Sequence, residues 1–228
     1  YTSTVSISQP APLSLSFNVT NVSCYSGNNG MINCVGSGGT SPYQFSLNGG
    51  AFQSSSTFSN LFAGYYNVTI KDNNNCLVTN TIQINQPTDI QLSVTTKNAN
   101  CTAANGAATV NVTGGTPPYA YVWSSIGGNA PISNSLTAGN YIVNVMDING
   151  CTKSITLTIN SIPGGTAVIT AASNVTCKGY NNGWATVSYV GNMTPPISYS
   201  WSNGQNTQTV NNLAPGNYNC TIQDVYGC

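Results

Sequence analysis

Apolar and polar residues alternate along most of this chain. Ala108, Val110 and Val112 fall on one side of a two-residue period and Thr109, Asn111 and Thr113 on the other, which predicts a half-buried strand. Gly114, Gly115 and Pro117 stop it. Tyr119, Tyr121 and Trp123 alternate in a second strand, Tyr141, Val143 and Val145 in a third, and Ile155, Leu157 and Ile159 in a last one. No helical period of 3.6 residues occurs, so strands alone are predicted.

The same pattern is written three times. Tyr119, Tyr121 and Trp123 correspond to Tyr43, Phe45 and Leu47 and to Ile197, Tyr199 and Trp201. Tyr141, Val143 and Val145 correspond to Tyr66, Val68 and Ile70 and to Tyr218, Cys220 and Ile222. Cysteines set the period: Cys24, Cys101 and Cys177 open the repeats at spacings of 77 and 76, and Cys76, Cys151 and Cys228 close them at spacings of 75 and 77. Three units of 76 fill the 228 residues. Six or seven short strands per unit, with turn residues between them, predict a small immunoglobulin-like β-sandwich. The expected organisation is 1–10, the last strand of a preceding or neighbouring repeat; 11–87, repeat one; 88–163, repeat two; and 164–228, repeat three without its last strand.

Four recurring phrases carry a family resemblance. They are C-x-G-x-N-N-G (Cys177, Gly179, Asn181, Asn182, Gly183), G-G-T-P-P-Y (Gly114 to Tyr119), W-S-N-G (Trp201 to Gly204), and L-x-A-G-x-Y with D-x-N-G-C (Leu136 to Tyr141, Asp147 to Cys151). The chain resembles the SprB repeat family of large cell-surface adhesins from gliding Bacteroidota. Repeat one departs most, with Leu47 at the Trp position and Asn75 at the closing Gly. The resemblance implies surface display through type IX secretion, and adhesion or gliding.

Composition narrows the function. Charged residues are only 4% of the chain, four Lys and four Asp with no Arg, Glu or His, and the net charge is zero. Without His or Glu there is no ordinary general base, no zincin-type metal site and no Ser-His-Asp or Cys-His nucleophile. The expectation is therefore no enzyme, no cofactor and no metal. A neutral chain without Arg has no electrostatic footprint for nucleic acid or acidic membrane. No stretch approaches the ~20 apolar residues of a spanning helix, so membrane insertion is not expected either. Disorder is opposed by an apolar content of 40% that alternates strictly, and by eight cysteines.

An even number of widely spaced cysteines points to disulfides in an oxidising compartment, outside the cell. Opening and closing cysteines recur together, and first and last strands neighbour one another in such sandwiches. Each repeat is thus expected to close on its own bridge: Cys24 with Cys76, Cys101 with Cys151, Cys177 with Cys228. Cys34 and Cys220 replace inward valines of the sister repeats and read as buried free thiols, with an intermolecular bridge as the alternative. Asp72, Asp147 and Asp224 each precede a closing cysteine by four residues. One carboxylate among asparagines is too few for calcium, so these predict an Asx-type turn.

The expected function is a structural segment, a disulfide-stapled stalk, in a long extracellular adhesin or filament whose partners are neighbouring repeats or subunits. Exposed aromatics such as Tyr65 leave a carbohydrate-binding module, with surface polysaccharide as partner, as one alternative. The other comes from phase. Residues 77–87 and 152–163 supply a final strand after their closing cysteines, repeat three reaches Cys228 without one, and residues 1–10 have that strand's alternation and its terminal Gln-Pro. The expectation is a slice of a continuous array, or subunits polymerised by donating residues 1–10 into a neighbour's third repeat.

Overall fold

The computed structural model describes residues 1–101, 103–124 and 128–228. The described residues are all-β, and no helix among them is long and apolar enough to cross a membrane. The chain divides into two compact units. The first is Tyr1–Gln91 with Val112–Ala120 and Val145–Lys153; the second is Leu92–Asn111, Tyr121–Asn144 and Ser154–Cys228.

The first unit contains a complete sandwich. Its strands are β1 (Ser14–Thr20), β2 (Gly30–Ser37), β3 (Gln44–Leu47), β4 (Thr57–Leu61), β5 (Gly64–Lys71) and β6 (Leu77–Ile84), in two sheets ordered β1-β2-β4 and β3-β5-β6. This is the immunoglobulin arrangement reduced to six strands, with A, B and E in one layer and C, F and G in the other. The predicted alternation closes the core: Ile32 and Cys34 from β2, Phe45 from β3, Val68 and Ile70 from β5, and Ile84 from β6 are buried together with Leu15 and Val22. Each such aliphatic side chain contributes roughly 1.5–3 kcal/mol by leaving water.

First and last strands run parallel along the seam between the layers. Asn80 Nδ2 donates to the Leu15 carbonyl at 2.8 Å, and the Val22 amide donates to the Asn85 carbonyl at 2.9 Å. The starts of β1 and β6 therefore share the leading end of the sandwich, and their finishes share the trailing end.

The second repeat is built alike, most of it in the second unit. Its strands are β7 (Gln91–Lys97), β8 (Ala99–Asn100), β9 (Gly106–Thr113), β10 (Ala120–Trp123), β11 (Ile132–Leu136), β12 (Gly139–Met146), β13 (Thr152–Ile159) and β14 (Ser161–Ile162). The sheets are ordered β11-β9-β7 and β10-β12-β13. The short β8 and β14 pair in parallel, Ala99 with Ser161 and Asn100 with Ile162, repeating the trailing-end seam. Ala108, Val110, Tyr121, Trp123, Tyr141, Val143, Leu157 and Ile159 are buried, as their alternation predicts.

The third repeat has β15 (Gly165–Ser173), β16 (Gly183–Gly191), β17 (Ser198–Trp201), β18 (Thr209–Leu213) and β19 (Cys220–Gln223). Its A-B-E sheet is complete, ordered β15-β16-β18, but β17 and β19 form a sheet of two. Strand β19 is four residues long where β5 and β12 are eight, because β5 and β12 each have a last strand along their outer edge. Tyr218, Cys220 and Ile222 are correspondingly half-buried, whereas Tyr141 and Val143 are buried. Residues 1–10 belong to no strand and are exposed throughout.

Candidate functional site

The residues that recur outside the core gather at the ends of the sandwiches, and the aspartates define the leading end. Asp72 accepts the Asn74 and Cys76 amides on Oδ1, at 2.9 and 2.8 Å, and the Thr40 amide on Oδ2 at 2.9 Å. Asp147 repeats this with Asn149, Cys151 and Thr116, all at 2.9 Å. Asp224 repeats it again with Tyr226, Cys228 and Thr194, at 2.9, 2.9 and 3.1 Å. The Asx-type turn is therefore present three times, and each carboxylate also ties the F–G turn to the loop between B and C. These carboxylates are buried. For Asp72 and Asp224 burial is the largest single influence and raises the pKa, but the converging backbone N–H donors together hold both below the usual 3.8. No group of three metal-ligating side chains occurs among the described residues. In the first two repeats the carboxylate lies where only glycine fits. A Cβ on Gly39, at φ +58°, stands 2.8 Å from Asp72 Oδ2, and one on Gly115, at φ +64°, stands 3.1 Å from Asp147 Oδ2.

The disulfides do not close single repeats. Cys24 is bonded to Cys151 and Cys101 to Cys228, each across 127 residues with Cα atoms 5.6 Å apart. The predicted pairs Cys24–Cys76, Cys101–Cys151 and Cys177–Cys228 are all absent, and Cys76 and Cys177 are free and exposed. Strand direction gives the reason. Cys24 follows β1 at the trailing end, whereas Cys76 precedes β6 at the leading end. The eight residues of β6 lie between those ends, about 25 Å at ~3.3 Å per residue. A bridge needs Cα atoms within about 7 Å. First and last strands are neighbours, but neighbours in parallel put a cysteine after one and a cysteine before the other at opposite ends.

Each bridge instead joins the opening cysteine of one repeat to the closing cysteine of the next. Around the first, Asn149 Nδ2 donates to the Ser23 carbonyl at 3.2 Å and the Asp147 turn presents the Cys151 amide. A cavity of about 200 Å3 beside it is lined by Tyr25, Asp89 and Ile90. Around the second, the Cys101 amide donates to the Ile162 carbonyl at 2.8 Å and Ser161 Oγ to the Cys101 carbonyl at 2.7 Å. A Cβ on Gly164 falls 2.9 Å from Cys228 Cβ and 3.2 Å from Cys101 Sγ, so a residue without a side chain lets the chain pass the bridge.

Cys34 is buried and free, as expected, and burial pushes its thiol up to about 11. Cys220 is half-buried rather than buried, again with burial raising its pKa.

One recurrent device escaped the sequence reading. The tyrosine of L-x-A-G-x-Y donates its hydroxyl to the carbonyl four residues upstream: Tyr66 to Phe62 at 3.0 Å, Tyr141 to Thr137 at 2.9 Å, Tyr218 to Ala214 at 3.1 Å. This is the tyrosine corner of immunoglobulin-like sandwiches. Its threefold spacing was the available signal.

The SprB repeat family model matches residues 16–52, 93–128 and 169–206. A comparison with curated proteins finds no match. Among solved structures, a C-terminal 282-residue fragment of intimin, in complex with an intimin-binding domain of the translocated intimin receptor, is 10% identical. That likeness covers 70% of this chain and 67% of that one, with a TM-score of 0.37. Sidekick-1 immunoglobulin domains 1–5 are 15% identical over 92% of this chain and 55% of that one, TM-score 0.29. Extracellular domains 3–5 of Drosophila OTK are 14% identical over 92% and 93%, TM-score 0.26.

Proposed function

For a chain that carries three SprB repeats, we propose a load-bearing structural segment of an extracellular, cell-surface adhesin of gliding-type bacteria, exported by type IX secretion. The observation that carries this reading is the bridging of consecutive repeats at the same separation of 127 residues. A repeat joined to its neighbour only by its linker transmits tension through that linker alone. Here the covalent path overlaps. It runs from Tyr1 to Cys24, crosses to Cys151, returns to Cys101 and crosses to Cys228, and so bypasses most of the chain. The paired cysteines fit an oxidising exterior, and a nearly uncharged surface is insensitive to the salt around it.

Single-molecule stretching of the 228-residue chain tests the mechanical part. With bridges intact the shortest covalent path is about 75 residues and reaches ~250 Å at ~3.4 Å per residue, against ~780 Å once reduced. Equal extension before and after reduction removes the stapled-segment reading. Antibody labelling of intact cells tests display. Specific micromolar binding on a glycan array, abolished by replacing one exposed aromatic, moves the function to carbohydrate recognition.

A further inference from the structure

Six asparagines are followed by glycine: Asn29, Asn48, Asn105, Asn149, Asn182 and Asn203. At such a pair the glycine nitrogen has no side chain crowding it and can close on the asparagine amide carbon, a covalent modification that needs no enzyme. The reaction requires a glycine N–H open to solvent and free of an acceptor, and an asparagine Nδ2 free to leave. The fold withholds at least one of these at five of the six sites. Gly30, Gly106 and Gly183 are the buried first residues of β2, β9 and β16. Asn29 and Asn182 are also held at both ends of their amides: Asn29 accepts the Ser23 amide at 3.0 Å and donates to Ser23 Oγ at 2.7 Å, and Asn182 does the same with Thr176 at 3.1 and 2.8 Å. Gly150 and Gly204 are exposed, but their amides donate to the Asp147 and Trp201 carbonyls at 3.0 and 2.9 Å.

The remaining pair is open. Asn48 and Gly49 form the tip of the turn after β3, with φ of +49° and +75°, values that suit an Asn-Gly turn. Both are exposed, and a Cβ on Gly49 would meet nothing within 4 Å. Neither the Gly49 N–H nor Asn48 Nδ2 has an acceptor among the described residues. Asn48 Oδ1 accepts the Asn67 amide at 2.9 Å. That donor draws electron density from Cγ and stabilises the oxygen that becomes negative when Cγ is attacked.

The sister repeats separate the structural role of this position from its chemistry. Ser124 Oγ accepts the Ile142 amide at 2.9 Å, and Ser202 Oγ accepts the Asn219 amide at 3.2 Å. Asn48, Ser124 and Ser202 each donate their own amide back to the carbonyl of that same partner, at 2.7, 2.9 and 2.9 Å. Serine therefore fills the place as asparagine does, and a hydroxyl has no amide to lose. Repeat one alone sets a reactive pair there.

We propose that Asn48 is a site of spontaneous deamidation, through which the folded protein acquires a negative charge in repeat one. The Gly49 nitrogen loses its proton to hydroxide and attacks Asn48 Cγ; the bond from Cγ to Nδ2 breaks and ammonia leaves, giving a succinimide. Water then adds to either ring carbonyl. Cleavage between Cγ and the ring nitrogen leaves an aspartate, and cleavage between the Asn48 carbonyl carbon and that nitrogen leaves an isoaspartate with the backbone routed through Cγ. One water is consumed and one ammonia released. Against four lysines and four aspartates, the added carboxylate turns a net charge of zero negative.

The test incubates the intact 228-residue chain in mildly alkaline heavy-oxygen water, digests it in ordinary water, and reads label at each of the six sites by fragmentation mass spectrometry. A second sample is held unfolded in guanidinium and reductant. In the folded chain Asn48 is expected to convert roughly tenfold or more faster than any of the other five, because a glycine N–H that must first give up its acceptor or its burial loses about that much reactivity. In the unfolded chain all six share the same Asn-Gly chemistry and should react at similar rates. On isoelectric focusing, an acidic species should grow in the folded wild type and be absent from N48S, a residue that the sister repeats accept at this turn. The proposal is overturned if another of the six leads in the folded chain, if Asn48 leads by the same factor when unfolded, or if the acidic species persists undiminished in N48S.

Discussion

Serine at Cys24 and Cys151 removes the first bridge while leaving both sandwiches their cores, and the structure sets the size of the loss. The bridge closes 127 residues, so in the chain-entropy description it stabilises the folded state by about 5 kcal/mol at 25 °C. That is a third or more of the 5–15 kcal/mol typical of a domain. Both single variants break one and the same bond, so C24S, C151S and the double variant should lose the same stability to within about 0.5 kcal/mol, where independent sites would add. The control is C76S. Cys76 is exposed and unpaired, so its loss should fall within the ±0.5 kcal/mol usual for surface changes. Urea unfolding under non-reducing conditions, followed by fluorescence of the tryptophans, measures all four midpoints. The rearranged pairing fails if C76S is as costly as C24S and the C24S/C76S double variant costs no more than either, for that is the behaviour of a bond between Cys24 and Cys76.

Digestion after lysine reads the same topology chemically: without reductant the peptides 1–71, 98–153 and 179–228 should travel as one species and 72–97 and 154–178 alone, whereas closure within repeats would join 1–71 to 72–97. Stability should be level between about pH 4 and 9. Asp72 and Asp224 have folded pKa values below 3.8, so their contribution is complete above that value and is lost as pH falls through the folded ones; Cys34, raised from 9.0 to about 11, contributes fully below 9.0 and loses its share as pH rises through 11. Denaturant midpoints from pH 2 to 12 check both arms, and a transition between pH 5 and 8 would contradict them. Tyr141→Phe removes the corner hydrogen bond to Thr137 and should cost about 1–1.5 kcal/mol in thermal or urea unfolding, with no change in the strand circular dichroism; a neutral effect would show that the corner is incidental to stability.

The strands were legible because burial on one face forces a two-residue period, and Val68, Val110 and Val143 are buried where that period placed them. The aspartate turns were legible from three carboxylates at one spacing. Their amide partners Thr40, Thr116 and Thr194 were not, since they lie 30 to 32 residues away and only the folded B–C loop brings them in. The half-burial of Cys220 was missed because the sister position Val143 lies on a strand flanked on both sides, whereas among the described residues the strand of Cys220 is paired on one side only, with β17.

The cysteine pairing shows what a repeat conceals. In a sequence of period 76, Cys24 stands equally well before the closing cysteine of its own repeat and before that of the next, so spacing and recurrence cannot choose between Cys76 and Cys151. The choice lies in strand direction. An odd number of reversals between β1 and β6 would make them antiparallel and bring Cys24 back to Cys76. The fold instead makes them parallel, as the contacts of Leu15 with Asn80 and of Val22 with Asn85 show. A parallel first and last strand sends the chain in at one end of the sandwich and out at the other, which is the condition for stacking repeats in series. It also carries every opening cysteine to the end from which the next repeat departs, and every closing cysteine to the end at which its own repeat began. The bond between consecutive repeats thus follows from the direction of the first and last strands, which sets the end of the sandwich at which each cysteine lies.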